Sequence, residues 1–424
     1  MMLLPPSGKV KTVEHLGFAT TPRVMRRLNS RRVLEYAWAA AAFTASDIIA
    51  ATGLTRSTVI GVCDDLVGTG WLQELGDARV VGDYRKGRPA RRYSLRDDAA
   101  VVVGVDAGVE VISATVANLR GRPLGHVSAR IRATAPNESP AAVTNARRTL
   151  VRRVVHEALR KAGAEAGSVL AVTVGVPAPV TPGSASPGYD SEFWRQMNPG
   201  YDHLFTGAAP IVAIENDANL AAIAERSSAR GRGRDVGSYI ALLVGEGIGA
   251  GLMLDGRLVR GRRGGAGEMR FLDHVTGVGS ADGLALCARR WAAEAIGSGT
   301  LPQHSFLAGL DVTALREGDV DVAAEAGDAA ASEILDRLAA RLAQICLVLG
   351  ALLDVDRIIV GGSVADTLPG TIPRAAVILA ASGDPAKPEL VASMLGADAV
   401  NAGAVEHALA SVLERVFDLS PGAP

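Results

Sequence analysis

Between Ile211 and Phe271 the chain reads IVAIENDANLAAIAE, then a Gly/Arg loop, then YIALLVGEGIGAGLMLDGRLVRGRRGGAGEMRF. Few architectures accept such a stretch. An apolar run of strand length that ends in Glu215-Asn216-Asp217 sets a carboxylate and an amide at the mouth of a buried strand, where a polyol can be gripped. The next apolar run, Tyr239 to Val244, opens into Gly245-Glu246-Gly247-Ile248-Gly249-Ala250-Gly251. Its glycines let backbone N–H groups approach an anion closely. Gly264-Gly265-Ala266-Gly267-Glu268 follows. Together these predict an α/β fold with a sugar-and-nucleotide cleft, or the remains of one.

A chain of 424 residues is too long for one ordinary core, so two or three domains are expected. Hydrophobic content of 48% with 4% aromatic residues and 48 glycines fits a soluble, alanine-rich α/β protein. No run of about 18 uncharged apolar residues occurs, the length a membrane span needs. The opening MMLLPPSGKVK lacks the cationic segment and apolar core of a secretion signal, so the expected compartment is the cytoplasm. Cys63, Cys287 and Cys346 are far apart and sit in apolar helical patterns, which predicts buried thiols rather than a disulfide or metal site. Residues 1–100 carry 15 Lys and Arg against 10 Asp and Glu, a net +5 that leaves −6 for the rest of a chain whose total is −1. A basic head on an acidic body points toward nucleic acid.

Residues 1–22 show no periodicity and read as a flexible arm. From Arg23 the pattern turns helical. Thr44-Ala45-Ser46-Asp47 has the form of a capping box before a short helix, Ile48 to Thr52. Gly53 ends that helix, and Leu54-Thr55-Arg56-Ser57-Thr58 starts a second one with Val59, Val62, Cys63 and Leu66 on one face. Helix, glycine turn, helix is the helix-turn-helix pattern. Its second helix would carry Arg56, Ser57 and Thr58 to phosphates and base edges. Trp71 to Leu75 and Tyr93 to Leu95 read as paired strands. Between them the basic segment containing Arg85, Lys86, Arg88 and Arg91 suits a wing along a phosphate backbone or in a minor groove.

The stretch from Thr44 to Leu95, and above all GRPARRYSL at Gly87 to Leu95, resembles the winged helix-turn-helix head of ROK-family transcriptional repressors. That family also contains bacterial sugar kinases without the head. The likeness extends to about Val416 through ENDAN, GEGIGAG and GGAGE. It implies an α/β body of the two-lobed actin-like sugar-kinase fold, divided as head 23–97, N-terminal lobe 98–210 and C-terminal lobe 211–424. In the body, Val101 to Val105 and Val111 to Val116 are strands joined by Asp106-Ala107-Gly108-Val109-Glu110. For this turn, a retained phosphate role through Asp106 and Gly108 and an ordinary hairpin stay equally open. Gly245, Gly247 and Gly249 are the second phosphate-loop remnant. Val169 to Val176 is a buried strand ending in Pro177-Ala178-Pro179. Thr181 to Phe205 reads as a loop over the cleft. Gly327-Asp328 opens a long amphipathic helix to Leu353, Arg357 to Ser363 is a strand and glycine turn, Ala376 to Ala380 is strand-like, and Ala402 to Phe417 is the last helix.

The resemblance makes Asp217 the base that deprotonates a sugar hydroxyl in a kinase, with Asn216 and Glu268 binding hydroxyls. Asp217 also stands where an N-cap of the helix Ala218 to Glu225 would. The family continues Glu-x-Gly-His and then a Cys-x-Cys-Gly-x-x-Gly-Cys zinc motif. Here the chain reads Glu268-Met269-Arg270-Phe271 and only Cys287 falls nearby. One thiol cannot make a tetrahedral zinc site, so no metal and no cofactor are expected, and the ground for ATP binding is weakened. With the sugar grip reduced, loss of kinase activity is expected. The expected function is a DNA-binding transcriptional regulator, a repressor of carbohydrate-related genes. It would bind a double-stranded operator as a homodimer or homotetramer and sense a sugar or sugar-phosphate effector. Two readings compete: an ATP-dependent sugar kinase with a regulatory head, and a ligand-independent regulator with a vestigial pocket.

Overall fold

The computed structural model describes residues 22–76, 90–132, 138–187, 191–419 and 421. The chain forms two compact units, one through Arg96 and one from Asp97 onward.

The first unit comprises α1 (Pro22–Ala39), β1 (Phe43–Thr44), α2 (Ala45–Thr52), α3 (Arg56–Gly68), β2 (Leu72–Leu75) and β3 (Arg92–Leu95). The capping box forms as expected: Asp47 N donates to Thr44 Oγ1 and Thr44 N donates to Asp47 Oδ2 at 2.7 Å. Gly53 closes α2 and Thr55 caps α3. Val59, Val62, Cys63 and Leu66 form the buried face of α3, and Val33, Leu34, Ala37, Phe43, Ile48, Trp71, Leu72, Tyr93 and Leu95 are buried in the same unit. The sheet runs β1-β3-β2, all antiparallel, so Phe43-Thr44 adds a third strand to the two expected. Three helices on a small antiparallel sheet make a winged helix-turn-helix arrangement.

The second unit opens with β4 (Val101–Ala107), β5 (Val111–Asn118), β6 (Pro123–Arg130), α4 (Pro140–Ala162), β7 (Val169–Val176), α5 (Glu192–Met197), α6 (Asp202–Phe205), β8 (Ile211–Asn216) and α7 (Asp217–Ser227). It continues with β9 (Tyr239–Val244), β10 (Ile248–Leu254), β11 (Arg257–Val259), α8 (Leu284–Gly297), α9 (Gly318–Glu325), α10 (Ala329–Leu353), β12 (Arg357–Gly361), α11 (Ser363–Thr367), α12 (Thr371–Ala381), β13 (Glu389–Ala392) and α13 (Ala399–Glu414). The two sheets have the orders β6-β5-β4-β7-β8 and β11-β10-β9-β12-β13. In each, the central strand pairs parallel with the later strands and antiparallel with the hairpin partner. One α/β lobe is thus built twice, the two-lobed actin-like body.

Several boundaries differ from expectation. Ile211–Asn216 pairs with β7, so it is the last strand of the first sheet rather than the start of the second lobe. The last helix, α13, also packs on the first sheet, against β4 and β7. The lobes therefore interleave along the chain. Ala376 to Ala380 is helical, not strand-like: Ile372, Ala375 and Leu379 bury one helical stripe, while Val377 and Ile378 face solvent. In the glycine-rich stretch only Gly245 to Gly247 form a loop, a tight hairpin turn, because Ile248 onward pairs with β9. Gly251 lies inside β10, where a Cβ would stand 2.1 Å from Ala218 O. Only glycine lets the strand approach the first turn of α7 so closely. Among the described residues, no helix is long and apolar enough to cross a membrane.

Candidate functional site

Parallel strands of an α/β sheet deliver their C-terminal ends to a common edge, and ligands bind there. Asp106 ends β4, Glu215-Asn216 end β8, and Asp217 begins α7. The N-cap of α7 is Asn216, not Asp217: Asn219 N donates to Asn216 Oδ1 at 3.1 Å. Asn216 Nδ2 donates to Ala178 O at 3.2 Å, which ties the helix start to the Pro177-Ala178-Pro179 loop. The Asn216 amide is therefore largely committed to structure. Asp217 Oδ1 accepts the Ala218 N–H at 2.7 Å.

Burial, and then the negative charge of Asp106, raise the Asp217 carboxyl to about 7. Burial raises Asp106 to about 7 as well, against the opposing pull of Arg147. Glu268 is also raised by burial, with Arg270 opposing, and its charge acts on Asp217. Three acids thus converge. A carboxyl that titrates near neutrality can accept a proton from a hydroxyl or donate a hydrogen bond to one. Gly267 holds Glu268 in place: its φ is +90° and a Cβ would stand 1.9 Å from Ala250 O, while Glu268 bridges Gly249 on β10.

Two cavities of about 560 and 270 Å³ lie beside this cluster. Trp194, Glu268 and Arg270 line both; Ser191, Gly247, Ile248, Met269 and Ala281 complete the larger, and Arg263 and Pro179 help line the smaller. Asp106 and Asp217 line neither, so Glu268 is the link between the acids and the open space. The helix carrying Trp194 lies in the segment expected to cover the cleft, Thr181 to Phe205.

Of the glycine remnants, Gly108 sits in the β4–β5 turn, Gly245 and Gly247 in the β9–β10 hairpin, and Gly249 within β10. The hairpin tip, Glu246, is clamped by Arg289 at 2.5 and 2.6 Å. Three buried groups carry no sequence expectation. Arg147 on α4, 2% exposed, donates to Ala107 O at 2.7 Å, Gly108 O at 2.8 Å and Val109 O at 3.3 Å, and so shapes the turn after Asp106. Glu215 accepts from Arg260 Nε at 2.6 Å and from Asn219 Nδ2 at 2.9 Å. Arg341 on α10 donates to the carbonyls of Val278, Ser280 and Asp282. The only available signal for Arg147 was its phase, four residues before the buried Val151 on the inward face of α4.

The residues where the zinc motif would fall do not fit a metal. Cys287 is buried on α8, Phe271 is exposed, and buried Arg341 pins the intervening loop. Among the described residues no group of His, Cys, Asp and Glu is placed to hold a metal ion. All three cysteines are free and buried, and burial pushes the Cys63 thiol up to about 11.

In the head, Arg56 and Ser57 are exposed at the start of α3, and Thr58 is half-buried with its hydroxyl 2.9 Å from Thr55 Oγ1. Arg91 is engaged inside the unit. It donates to Glu74 at 2.8 and 2.6 Å and to Asp64 at 2.7 Å, linking β2 to α3, and lies over the Tyr93 ring. Arg85, Lys86 and Arg88 lie outside the described residues.

The body resembles known proteins of two kinds. Over 232 residues the chain is 26% identical to a xylose repressor of Caldicellulosiruptor bescii, covering 54% of this chain and 55% of the repressor. Over 224 residues it is 32% identical to the bifunctional enzyme NanE/NanK of Brucella suis, covering 50% of this chain and 39% of the enzyme. The chain thus spans about half the length of that repressor and less of the enzyme. Among solved structures, a ROK-family transcriptional regulator homologous to the E. coli MLC protein matches with a TM-score of 0.69 over 92% of this chain and 98% of that one. At 18% identity this shows likeness of fold. A ROK glucokinase of Streptomyces griseus, solved with glucose and AMPPNP, matches with a TM-score of 0.56 and 25% identity over 73% of this chain and 99% of that one. The ROK family model itself matches residues 102–410, nearly the whole body, and with the fold and the acid cluster in place the chain belongs to the ROK family.

Proposed function

We propose that the protein is a cytoplasmic, DNA-binding transcriptional regulator, a repressor of carbohydrate-related genes, whose kinase-derived body senses a small effector. The observation that carries this reading is the head. A capped helix, a glycine turn and a second helix with Arg56 and Ser57 exposed at its N-terminal turn stand on a small antiparallel sheet. That is the geometry with which a recognition helix meets the major groove. Support for a non-catalytic body comes from the hairpin, where the Glu246 carboxylate occupies the tip and is held by Arg289. That pairing commits the Arg289 guanidinium to Glu246 and Glu317 rather than to a phosphate. Met269, Arg270 and Phe271 after Glu268 weaken the case for a held sugar hydroxyl further. The body would work by population shift: an effector that favours the arrangement with mis-spaced heads lowers operator affinity by its differential affinity. Two heads on a palindromic site call for a homo-oligomer.

The test is a mobility shift on the DNA upstream of the protein's own gene. Arg56→Ala and Arg88→Ala should each weaken binding at least severalfold. Parent-like affinity in both variants would sink the assigned surface. One observation favours a second reading, a sugar kinase with a regulatory head: Asp217, raised to about 7, is suited to act as a general base at neutral pH. ADP release with any hexose, lost in Asp217→Ala, would establish it.

A further inference from the structure

The loop after Glu268 falls where the resemblance places a zinc motif, and a side chain from another helix reaches into it. Arg341 lies in the middle of α10 and is 4% exposed. A cation buried that deeply needs acceptors for its donors. Its Nη1 donates to Val278 O, and its Nη2 donates to Ser280 O at 2.6 Å, Asp282 O at 2.8 Å and Ser280 Oγ at 3.2 Å. Three alternate carbonyls of the loop thus converge on one planar guanidinium.

The side chains a metal would need are committed elsewhere. Asp273 Oδ1 accepts the Ala281 N–H at 2.8 Å, Asp282 pairs with Arg290 at 2.8 Å, and Cys287 is buried in the apolar core of the lobe. A divalent ion at these carbonyls would also stand against a buried positive charge. In a structural metal site the loop's side chains give electron pairs to a central cation; here the loop's backbone gives them to a cation carried by α10. The loop in turn supports the cleft. Gly283 N donates to Glu246 O at 2.8 Å and Ala285 N donates to Gly245 O at 3.1 Å, so the turn between β9 and β10 rests on the segment that Arg341 fixes. Ala281, between two of the bonded carbonyls, lines the larger cavity.

We infer that the Arg341 guanidinium takes the place of the structural metal: it holds residues 273–283 and through them seats the Gly245–Gly247 turn, without zinc. Arg341 is then a positioning residue, and this holds for a sensing and for a phosphorylating body alike.

The purified full chain, expressed with zinc in the medium, is assayed for bound metal by mass spectrometry and melted with and without EDTA. Zinc should be far below stoichiometric, and EDTA should leave the melting temperature unchanged. Hydrogen exchange followed by peptide then compares the parent with Arg341→Met. Amides of residues 273–285 and 245–249 should exchange roughly tenfold or more faster in the variant. Arg147→Met, which loosens the other lobe, is the control and should leave both segments at the parent rate. In Arg341→Ala, free guanidinium at low millimolar concentration should fill the vacated space and restore protection of the same peptides. Stoichiometric zinc whose removal lowers the melting temperature overturns the inference. So does parent-like exchange in Arg341→Met, or an Arg341→Ala chain that guanidinium leaves unchanged. If neither variant folds, the metal and chelator measurements on the parent decide the question.

Discussion

Replacing Asp217 by Asn should change the pH dependence of stability in a specific direction. In the folded body this carboxyl is raised from 3.8 to about 7 by burial and by Asp106. The folded state therefore holds the proton more tightly than the unfolded chain does. The group leaves stability intact at low pH, removes it as pH rises from about 4 to about 7, and has no further effect above that. One pKa unit corresponds to about 1.4 kcal/mol, so the shift between pH 5 and pH 8.5 amounts to about 2–3 kcal/mol. Asn keeps the shape and still accepts from Ala218 N, but does not ionise. Melting of parent and variant at the two pH values, at constant ionic strength, measures the difference. The variant should gain on the parent by about 3–5 °C on going from pH 5 to pH 8.5, given the entropy of unfolding of a body this size. A gap that does not change with pH, or that narrows as pH rises, would refute the assignment of Asp217 as a strained acid.

Other positions give sharp expectations. Arg147→Met removes the donor from three carbonyls around Gly108 and should cost about 2–4 kcal/mol in urea unfolding. A loss under about 1 kcal/mol would mean that the turn is held otherwise. Gly251→Ala sets a Cβ 2.1 Å from Ala218 O, which backbone must move to relieve, so about 2–3 kcal/mol of destabilisation is expected. Arg56→Ala should lower the slope of log affinity against log salt by about 1, as loss of one phosphate contact does. Arg91→Gln should leave that slope unchanged, because Arg91 already pairs with Glu74 and Asp64.

What was legible in the sequence was what depends on local pattern. The apolar runs Val169 to Val176 and Tyr239 to Val244 became strands at the residues expected, and Thr44-x-x-Asp47 became a reciprocal cap. Misreadings arose where tertiary packing overrides local preference. Val377-Ile378 looks like a strand because both residues are β-branched, yet the buried stripe of Ile372, Ala375 and Leu379 makes the segment a helix. Conversely Glu389–Ala392 is a strand because β12 offers it an edge. The glycines at 249 and 251 read as a loop, although Gly251 serves the approach of β10 to α7. The acid cluster was legible as separate residues through the family resemblance. Its electrostatics were not, since Asp106 and Asp217 are joined only by the parallel order of β4, β7 and β8. Buried cations were invisible for the same reason: Arg147 and Arg341 resemble surface arginines until the carbonyls they satisfy are brought beside them.

The central claim, that the output of this kinase-like body runs through its head to DNA, is tested most directly by one comparison. The purified chain is titrated onto the DNA upstream of its own gene and onto a scrambled duplex of equal length and composition, at two salt concentrations. The account predicts affinity for the native sequence higher by about 10³-fold or more at physiological salt, with both affinities falling as salt rises. Equal affinity for the two duplexes, or none for either, would contradict it.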